Sequence, residues 1–338
     1  MSVLDVFNTD PFNVVSLTES INLLPFQPQR LGQMGLFSRE GIPTRTVLIE
    51  ELEGQLTLLP TVPVGGPPTY AGRTKRNMRT LSIPHIPHND MILAGDVQGV
   101  RAFGSENATQ SITTVVNNRL QNMRQNHELT LEFHRIGALK GVLVDADGTT
   151  IYDLFEEFQV TPNSVDFVLG TAGTDQQAKC LDVIEAVENA LGTGTYDHIH
   201  CFCGRTWFRK FISHALVKAA FDRWKDGAFL RSDPRAGFEF GNIVFEQYRG
   251  SIKLDGGTTV VPFIPVGEAR FFPVGIPGLF KTYDAPADFI ESVNTVGKPI
   301  YAKQERLEFD RGIKMHTQSN PLTLCLRPKV LVRGYTSN

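Results

Sequence analysis

One stretch of the chain decides the predicted fold: residues 130–158, which read TLEFHRIGALKGVLVDADGTTIYDLFEEF. It opens in a helical pattern that can end at Gly137 or Gly141, since glycine readily adopts the left-handed backbone that terminates many helices. Two β-rich runs follow, joined through Asp147 and Gly148, a dipeptide typical of hairpin turns. The sequence therefore predicts a helix that leads directly into a β-hairpin over residues 141–152.

The predicted helix extends far upstream of this stretch. No proline occurs between residues 106 and 139, and Ser105 can act as the N-cap. About 34 residues at about 1.5 Å each give a rod of about 50 Å. Because its apolar stripe is narrow, we predict a strut that bridges elements instead of a buried core helix. The stripe consists of apolar residues at helical spacing: Ile112, Val115, Val116, Leu120 and Met123.

The residues before this helix have a different character. Prolines recur throughout residues 1–100, and proline removes a backbone donor and is excluded from central strands. Apolar side chains such as Leu23, Phe26 and Leu36 make the segment too hydrophobic for a solvated tail. We therefore predict extended arms and edge strands that need a surface to lie on, which suggests obligate assembly.

Residues 174–296 read as a second α/β region. The pattern predicts a helix at 175–191 that ends at Gly192, a strand at 196–203 and a helix at 205–224. It also predicts a hairpin of residues 242–254 and 258–266, and two late strand-like runs at 322–326 and 330–333. The core candidates on the second helix are Trp207, Phe208, Phe211, Leu216 and Phe221.

Composition indicates an ordinary globular chain without a membrane segment. The 338 residues are 41% hydrophobic and 20% charged, and the formal net charge of −3 gives no general attraction to nucleic acid. Four unevenly placed cysteines do not form a disulfide framework, which favours a reducing cytoplasm. Neither a signal-peptide pattern nor an apolar run of about 18 residues is present, so we expect a soluble, unexported protein.

No motif in the sequence favours catalysis. The run from His198 to Cys203 has zinc-binding residue types, but on a strand its histidines and cysteines face opposite ways, which favours buried thiols. Asp145 and Asp147 resemble the start of a calcium loop, yet Gly148 stands at the wrong position and favours the hairpin. With no nucleophile or phosphate-loop motif, we predict no enzyme activity, no cofactor and no metal.

The most distinct charge cluster in the sequence consists of Arg73, Lys75, Arg76 and Arg79, with no acidic residue among them. It could dock on an acidic surface of a neighbouring subunit, it could be a solvated loop, or it could contact nucleic acid. We rank docking first and nucleic acid last, because the cluster lacks interleaved aromatic residues and the chain is net negative.

Several segments, taken in order, resemble the major capsid protein E family, the lambda-type head proteins of tailed bacteriophages. The resemblance covers about residues 10–332, and the order and spacing of its segments are more specific than any one of them. The segments that carry it are TLEFHRIGALKG (130–141), DADGTTIYDLFEEF (145–158), VPFIPVGEAR (261–270), PVG (273–275), SNPL (319–322) and RPK (327–329).

The resemblance implies an α+β fold of the Hong Kong 97 type. Residues 1–45 would be the N-terminal arm and 46–103 an extended loop that reaches over a neighbouring subunit. Residues 104–173, which include the long spine helix, would form the peripheral domain together with 297–338. Residues 174–296 would be the axial domain. On this assignment Arg73, Lys75, Arg76 and Arg79 would lie on the extended loop and contact an adjacent subunit.

The implied function is that of a major capsid protein whose hexamers and pentamers form an icosahedral shell around double-stranded DNA. It would be assembled in the host cytoplasm and reside in the virion capsid. The alternatives are an encapsulin-like cellular compartment shell and, less favoured, another virion part such as a tail-tube subunit. The expected partners are further copies of the chain, a portal, decoration proteins and DNA contacted without sequence specificity. Because no helical leader precedes the arm, a separate scaffolding protein is expected, and covalent crosslinks are not.

Overall fold

The computed structural model describes residues 18, 21–22, 29–52, 76–97, 112–192, 194–224, 237–253 and 260–338. None of the helices in these ranges has the length and apolar character needed to cross a membrane. The predicted N-cap Ser105 and the first turn of the long helix lie outside the described residues. So do residues 255–257, the predicted turn of the later hairpin.

The described α-helices are α1 (Arg30–Met34), α2 (Ala94–Val97), α3 (Ile112–Lys140), α4 (Leu154–Glu157), α5 (Gln176–Leu191), α6 (Arg205–Ser213) and α7 (Ala215–Trp224). The first nine strands are β1 (Ser38–Gly41), β2 (Thr46–Leu52), β3 (Arg76–Ser82), β4 (Ile86–Leu93), β5 (Val142–Val144), β6 (Thr150–Asp153), β7 (Asn163–Asp166), β8 (His198–Cys203) and β9 (Phe238–Phe240). The others are β10 (Ile243–Gln247), β11 (Ser251–Lys253), β12 (Val260–Pro262), β13 (Ala269–Val274), β14 (Phe280–Asp284), β15 (Tyr301–Arg306), β16 (Gly312–Ser319), β17 (Pro321–Cys325) and β18 (Val332–Tyr335).

The chain divides into two compact units. The first comprises residues 1–48, 80–133 and 281–323, and the second comprises residues 49–79, 134–280 and 324–338. This division differs from the predicted domain boundaries, since both units are assembled from three separate segments. Helix α3 contributes residues to both.

The first unit contains the antiparallel sheet β15-β16-β4, in which β16 is the central strand. One face of this sheet and the apolar stripe of α3 share a core cluster. The cluster consists of Ile21, Ile92, Val116, Leu120, Met123, Ile300, Ala302, Ile313 and Met315. The helical spacing therefore predicted the buried face of this half of α3 correctly.

The second unit is built on a six-stranded mixed sheet with the order β7-β18-β13-β8-β10-β9. Its core is rich in aromatic rings. Trp207 and Phe211 of α6 pack against the sheet face that carries Phe245 and Phe271. The C-terminal strand β18 pairs with β13 on one side and with β7 on the other. Strands from three distant parts of the sequence thus complete this sheet.

Helix α3 and the hairpin after it follow the sequence prediction in outline. The helix ends at Lys140, Gly141 takes a φ of +82°, and β5 pairs antiparallel with β6 across Gly148 at φ +91°. The prediction that this helix is a bridging strut instead of a buried core helix is wrong for its last third. Residues 131–134 and 136–139 are all buried, which includes the side chains of Glu132 and His134.

The later part of the chain requires two corrections. The helix predicted at 205–224 is two helices, because His214 between them is extended, with ψ +133°, and its Nε2–H donates to the carbonyl of Thr171 at 3.0 Å. The hairpin predicted over 242–266 is confined to β11 and β12, since β10 instead pairs with β8 and β9. Of the core candidates, Trp207, Phe208 and Phe211 are buried and Leu216 is half-exposed.

The described part of the leading segment packs within its own unit. Leu31 of α1 is buried, and its backbone N–H donates to Glu132 Oε1 at 2.7 Å. Strand β1 forms the edge of the sheet β1-β14-β17, and β4 forms the edge of β15-β16-β4. The predicted edge strands are therefore present. Strand β1 and most of β4 are exposed or half-exposed, and only a few apolar residues of the described leading segment, such as Leu31 and Ile92, are buried on their own subunit.

Candidate functional site

The strand that carries the zinc-binding residue types is β8, at the centre of the second unit. Cys201 and Cys203 share a face, with 3.5 Å between their Sγ atoms, while His200 Nε2 lies 3.2 Å from Glu246 Oε2 on the next strand. The predicted division of the two pairs between opposite faces is confirmed. Burial raises the pKa of the Cys201 thiol well above its ordinary range, so the thiol stays protonated and unreactive.

The predicted contact cluster is only partly within the described residues. Arg73 and Lys75 lie outside them, and Arg76 opens strand β3. The guanidinium of Arg79 lies over the ring of Phe158, 5.2 Å from its centroid, in the same unit. One member of the cluster therefore has a cation–π contact within its own subunit.

A cationic groove of about 870 Å³ lies in the second unit beside α6. Arg205, Arg209 and Arg249 line it, and no Asp or Glu is found among the described residues of its lining. Phe208 and Ile212 contribute its apolar floor, and the partly exposed Val260 and Val266 flank it. We call this feature the arginine groove.

The arginine groove was missed by sequence reasoning because α6 was considered only for its core face. Arg205 and Arg209 are four residues apart, so they lie on one face of the helix. Trp207 and Phe211 occupy the buried face of the same helix. This amphipathic alternation is the signal that could have identified the two arginines as a pair.

Helix α5 presents an acidic face to solvent. Asp182, Glu185 and Glu188 are exposed along it, together with the half-exposed side chain of Leu181. Lys179 Nζ lies 3.4 Å from Asp182 Oδ2. The three acidic side chains are therefore accompanied by a single nearby lysine. We call the residues 181, 182, 185 and 188 the acidic helix face.

Large apolar side chains are exposed in the first unit. Ile290 is 91% exposed, and Val293 and Val296 on the same short segment are 63% and 62% exposed. Phe309, in the turn between β15 and β16, is 86% exposed and held at φ +58°. Because soluble monomers rarely cluster such exposed apolar groups, these residues are candidates for contact with another molecule.

A buried imidazole lies between α3 and the sheet β15-β16-β4. His127 Nε2 lies 3.0 Å from Thr317 Oγ1, whose hydroxyl donates to the carbonyl of His88, so Nε2 carries the proton. Burial, together with the smaller effects of the nearby imidazoles of His88 and His316, lowers the pKa of His127 from 6.5 to about 4. The folded unit therefore favours the neutral ring.

This imidazole makes the subunit sensitive to acid. The unfolded chain takes up a proton at this position as the pH falls below about 6.5, whereas the folded chain resists protonation until about pH 4. We expect the unassembled subunit to lose about 2 kcal/mol more of its unfolding free energy between pH 7 and pH 5 than the His127→Gln variant loses. Urea unfolding at both pH values measures this difference, and equal losses would contradict it.

Comparisons with known proteins agree with this geometry. A family model for the phage major capsid protein E matches residues 13–336. The major capsid protein of Pseudomonas phage KPP10 is 30% identical over 339 residues, covering 96% of each chain. That of Salmonella phage Felix O1 (isolate Felix O1-VT1) is 27% identical over 353 residues, covering 95% of each.

A solved structure shares the fold at low identity. The capsid structure of cyanophage P-SCSP1u gives a TM-score of 0.53 at 11% identity, covering 94% of this chain and 91% of that one. The predicted fold class, an α+β fold of the Hong Kong 97 capsid type, is confirmed.

Proposed function

Because the chain belongs to the phage major capsid protein E family, as the major capsid protein of a tailed bacteriophage, we propose that its hexamers and pentamers form an icosahedral shell around double-stranded DNA. The observation that carries the proposal is the exposure of Ile290, Val293, Val296 and Phe309. Burying such side chains between copies would remove apolar surface from water, the main favourable contribution to most protein association.

The proposed arrangement follows the domain assignment made from the sequence. Residues 174–296 would form the axial domain around the five- and six-fold axes, and residues 104–173 with 297–338 the peripheral domain. The mixed sheet of the second unit supports a rigid axial body, although it also includes β7 and β18, from outside 174–296. Residues 1–45 would be the arm and 46–103 the extended loop.

The cluster of Arg73, Lys75, Arg76 and Arg79 would contact an adjacent subunit from the extended loop. The stacking of Arg79 on Phe158 supports a role in anchoring one end of this cluster to its own subunit. The cations before it would then be presented to the neighbour, where an acidic surface would orient docking.

The proposed role is structural, without enzymatic activity. The partners would be a separate scaffolding protein, a portal, decoration proteins and the packaged DNA. Assembly would take place in the host cytoplasm before the shell becomes part of the virion. Contact with DNA would be weak and dependent on salt, since the chain carries a net charge of −3.

Electron microscopy of the chain expressed with its neighbouring head genes tests the proposal. We expect closed shells from the natural chain, and a loss of shells when Arg73 and Arg76 are both replaced by Glu, because like charges would then oppose docking. Circular dichroism of the variant serves as the control for folding. Open rods would instead identify a tail-tube subunit, and unimpaired shells from the variant would remove the cluster from the proposal.

A further inference from the structure

We propose that the arginine groove receives the acidic helix face of a second copy, in a head-to-tail contact that closes the rings of the shell. The proposal rests on the proposed function, because it names the residues that join neighbouring copies within one ring. A ring needs two different, complementary surfaces on each subunit, whereas a symmetric dimer needs only one surface that is complementary to itself.

The two surfaces are complementary in charge. The arginine groove brings Arg205, Arg209 and Arg249 together without a carboxylate among its described lining residues. The acidic helix face brings three carboxylates with a single nearby lysine. Such opposite patches favour one orientation of docking and disfavour contact between like surfaces.

The two surfaces are also complementary in their apolar parts. Leu181 projects from the acidic helix face with half of its surface exposed. The floor of the groove offers Phe208 and Ile212, and Val260 and Val266 are exposed at its margin. An apolar side chain that enters a pocket surrounded by charged pairs is the usual arrangement of an interface that binds strongly.

Both surfaces carry charges that their own helices disfavour. Arg205 is the first residue of α6, where the helix dipole favours an acid, and no acid is present in that first turn. Glu188 lies in the last turn of α5, where the dipole favours a cation and none is present. Residues that weaken their own helix are expected where they serve another purpose. Here that purpose is the contact with a neighbouring copy.

The surfaces lie on different parts of one rigid sheet. Helix α5 packs against β7, β13 and β18, whereas α6 packs against β10. The strands between them belong to the same six-stranded sheet, so the spacing of the two surfaces is fixed. A fixed angle between two complementary surfaces is what a closed ring requires.

Charge reversal on each side, and on both sides together, tests the inference. Three variants are compared with the natural chain. The first carries both Arg205→Glu and Arg209→Glu, the second carries both Asp182→Lys and Glu185→Lys, and the third carries all four substitutions. The yield of shells is measured by sedimentation and electron microscopy. Each two-residue variant is expected to lower the yield by about tenfold or more, and the four-residue variant to restore it, because the opposite charges face each other again.

Two controls separate docking from folding and from net charge. Glu at position 205 suits the first turn of α6, so misfolding is not expected, and Arg205→Gln with Arg209→Gln gives a milder test of the same surface. Lys218 and Lys329 are exposed cations outside the groove. Replacing both by Glu changes the net charge by the same amount as the groove variant does. An equal loss of shells from this control would overturn the inference.

The outcomes also distinguish this inference from the proposed function. If the natural chain gives no shells, the proposed function fails. If the natural chain and the groove variant give shells in equal yield, only the inference fails. If the groove variant gives normal shells that hold less DNA, the groove binds nucleic acid instead and the inference is overturned.

Discussion

Replacing Arg39 by Met is expected to lower the unfolding free energy of the unassembled subunit by about 3 kcal/mol. The side chain of Asp284 is only 2% exposed, and it accepts from Arg39 Nε at 2.5 Å and from Arg39 Nη2 at 2.9 Å. The substitution would leave a buried carboxylate without its cation, which costs far more than the ion pair contributes by itself. Urea unfolding at neutral pH measures the loss.

A neighbouring ion pair provides the control. Lys281 and Glu40 lie on the same two paired strands at 3.0 Å, but Glu40 is largely exposed. Lys281→Met should therefore cost less than about 1 kcal/mol. Adding Asp284→Leu to Arg39→Met should recover most of the loss, because no charge then remains buried. Equal effects of the two single variants would contradict this account of the sheet β1-β14-β17.

Replacing Trp207 by Ala is expected to lower the unfolding free energy by about 4 kcal/mol. Trp207 is fully buried, and its ring lies 5.1 Å from those of Phe167 and Phe211 and 6.0 Å from that of Phe245. Truncation would leave a cavity in the aromatic core and remove these ring contacts. Thermal and urea unfolding of the unassembled subunit both report the change.

Trp207→Phe is the matched control for this core position. Among the described residues no acceptor lies within hydrogen-bonding distance of Trp207 Nε1. Phenylalanine retains most of the packing and removes this buried donor, so we expect a loss of about 1 kcal/mol or less. A loss from Trp207→Phe as large as from Trp207→Ala would show that the indole nitrogen has a role that the geometry does not assign.

The elements that sequence reasoning predicted well depend on local signals. The end of α3 at Gly141 and the turn at Gly148 follow from backbone conformations that favour glycine. The bounds of α5 follow from Asp175, whose side chain accepts from two backbone N–H groups, and from Gly192 beyond its end. Capping and turn residues act within a few positions, so the sequence shows them directly.

The elements that sequence reasoning missed depend on distant partners. The break between α6 and α7 is stabilised by the hydrogen bond from His214 to Thr171, on a segment far upstream. Strand β1 pairs in parallel with β14, and Arg39 and Asp284 are 245 residues apart in sequence. No local pattern encodes such pairings, because they arise only when the chain is folded.

The candidate assembly surfaces were equally difficult to predict. The arginine groove combines residues 205–212 of α6 with residues 247–266 of β10–β12 and the connections after them, which lie at least 35 positions later in the sequence. The predicted cluster at residues 73–79 was visible because its four cations lie close together within one short stretch of sequence. Sequence reasoning therefore detected the contiguous charge cluster and overlooked the one that the fold assembles.

The central claim is that a single type of subunit closes a shell by joining with copies of itself in rings of five and six. Cryo-electron microscopy of the particles formed by the chain and its neighbouring head gene products tests it most directly. We predict that this chain accounts for the density of the shell, with residues of α5 and α6 from adjacent copies in contact around both kinds of axis. Particles whose shell is built from another protein, or a chain that remains a stable monomer under these conditions, would contradict the claim.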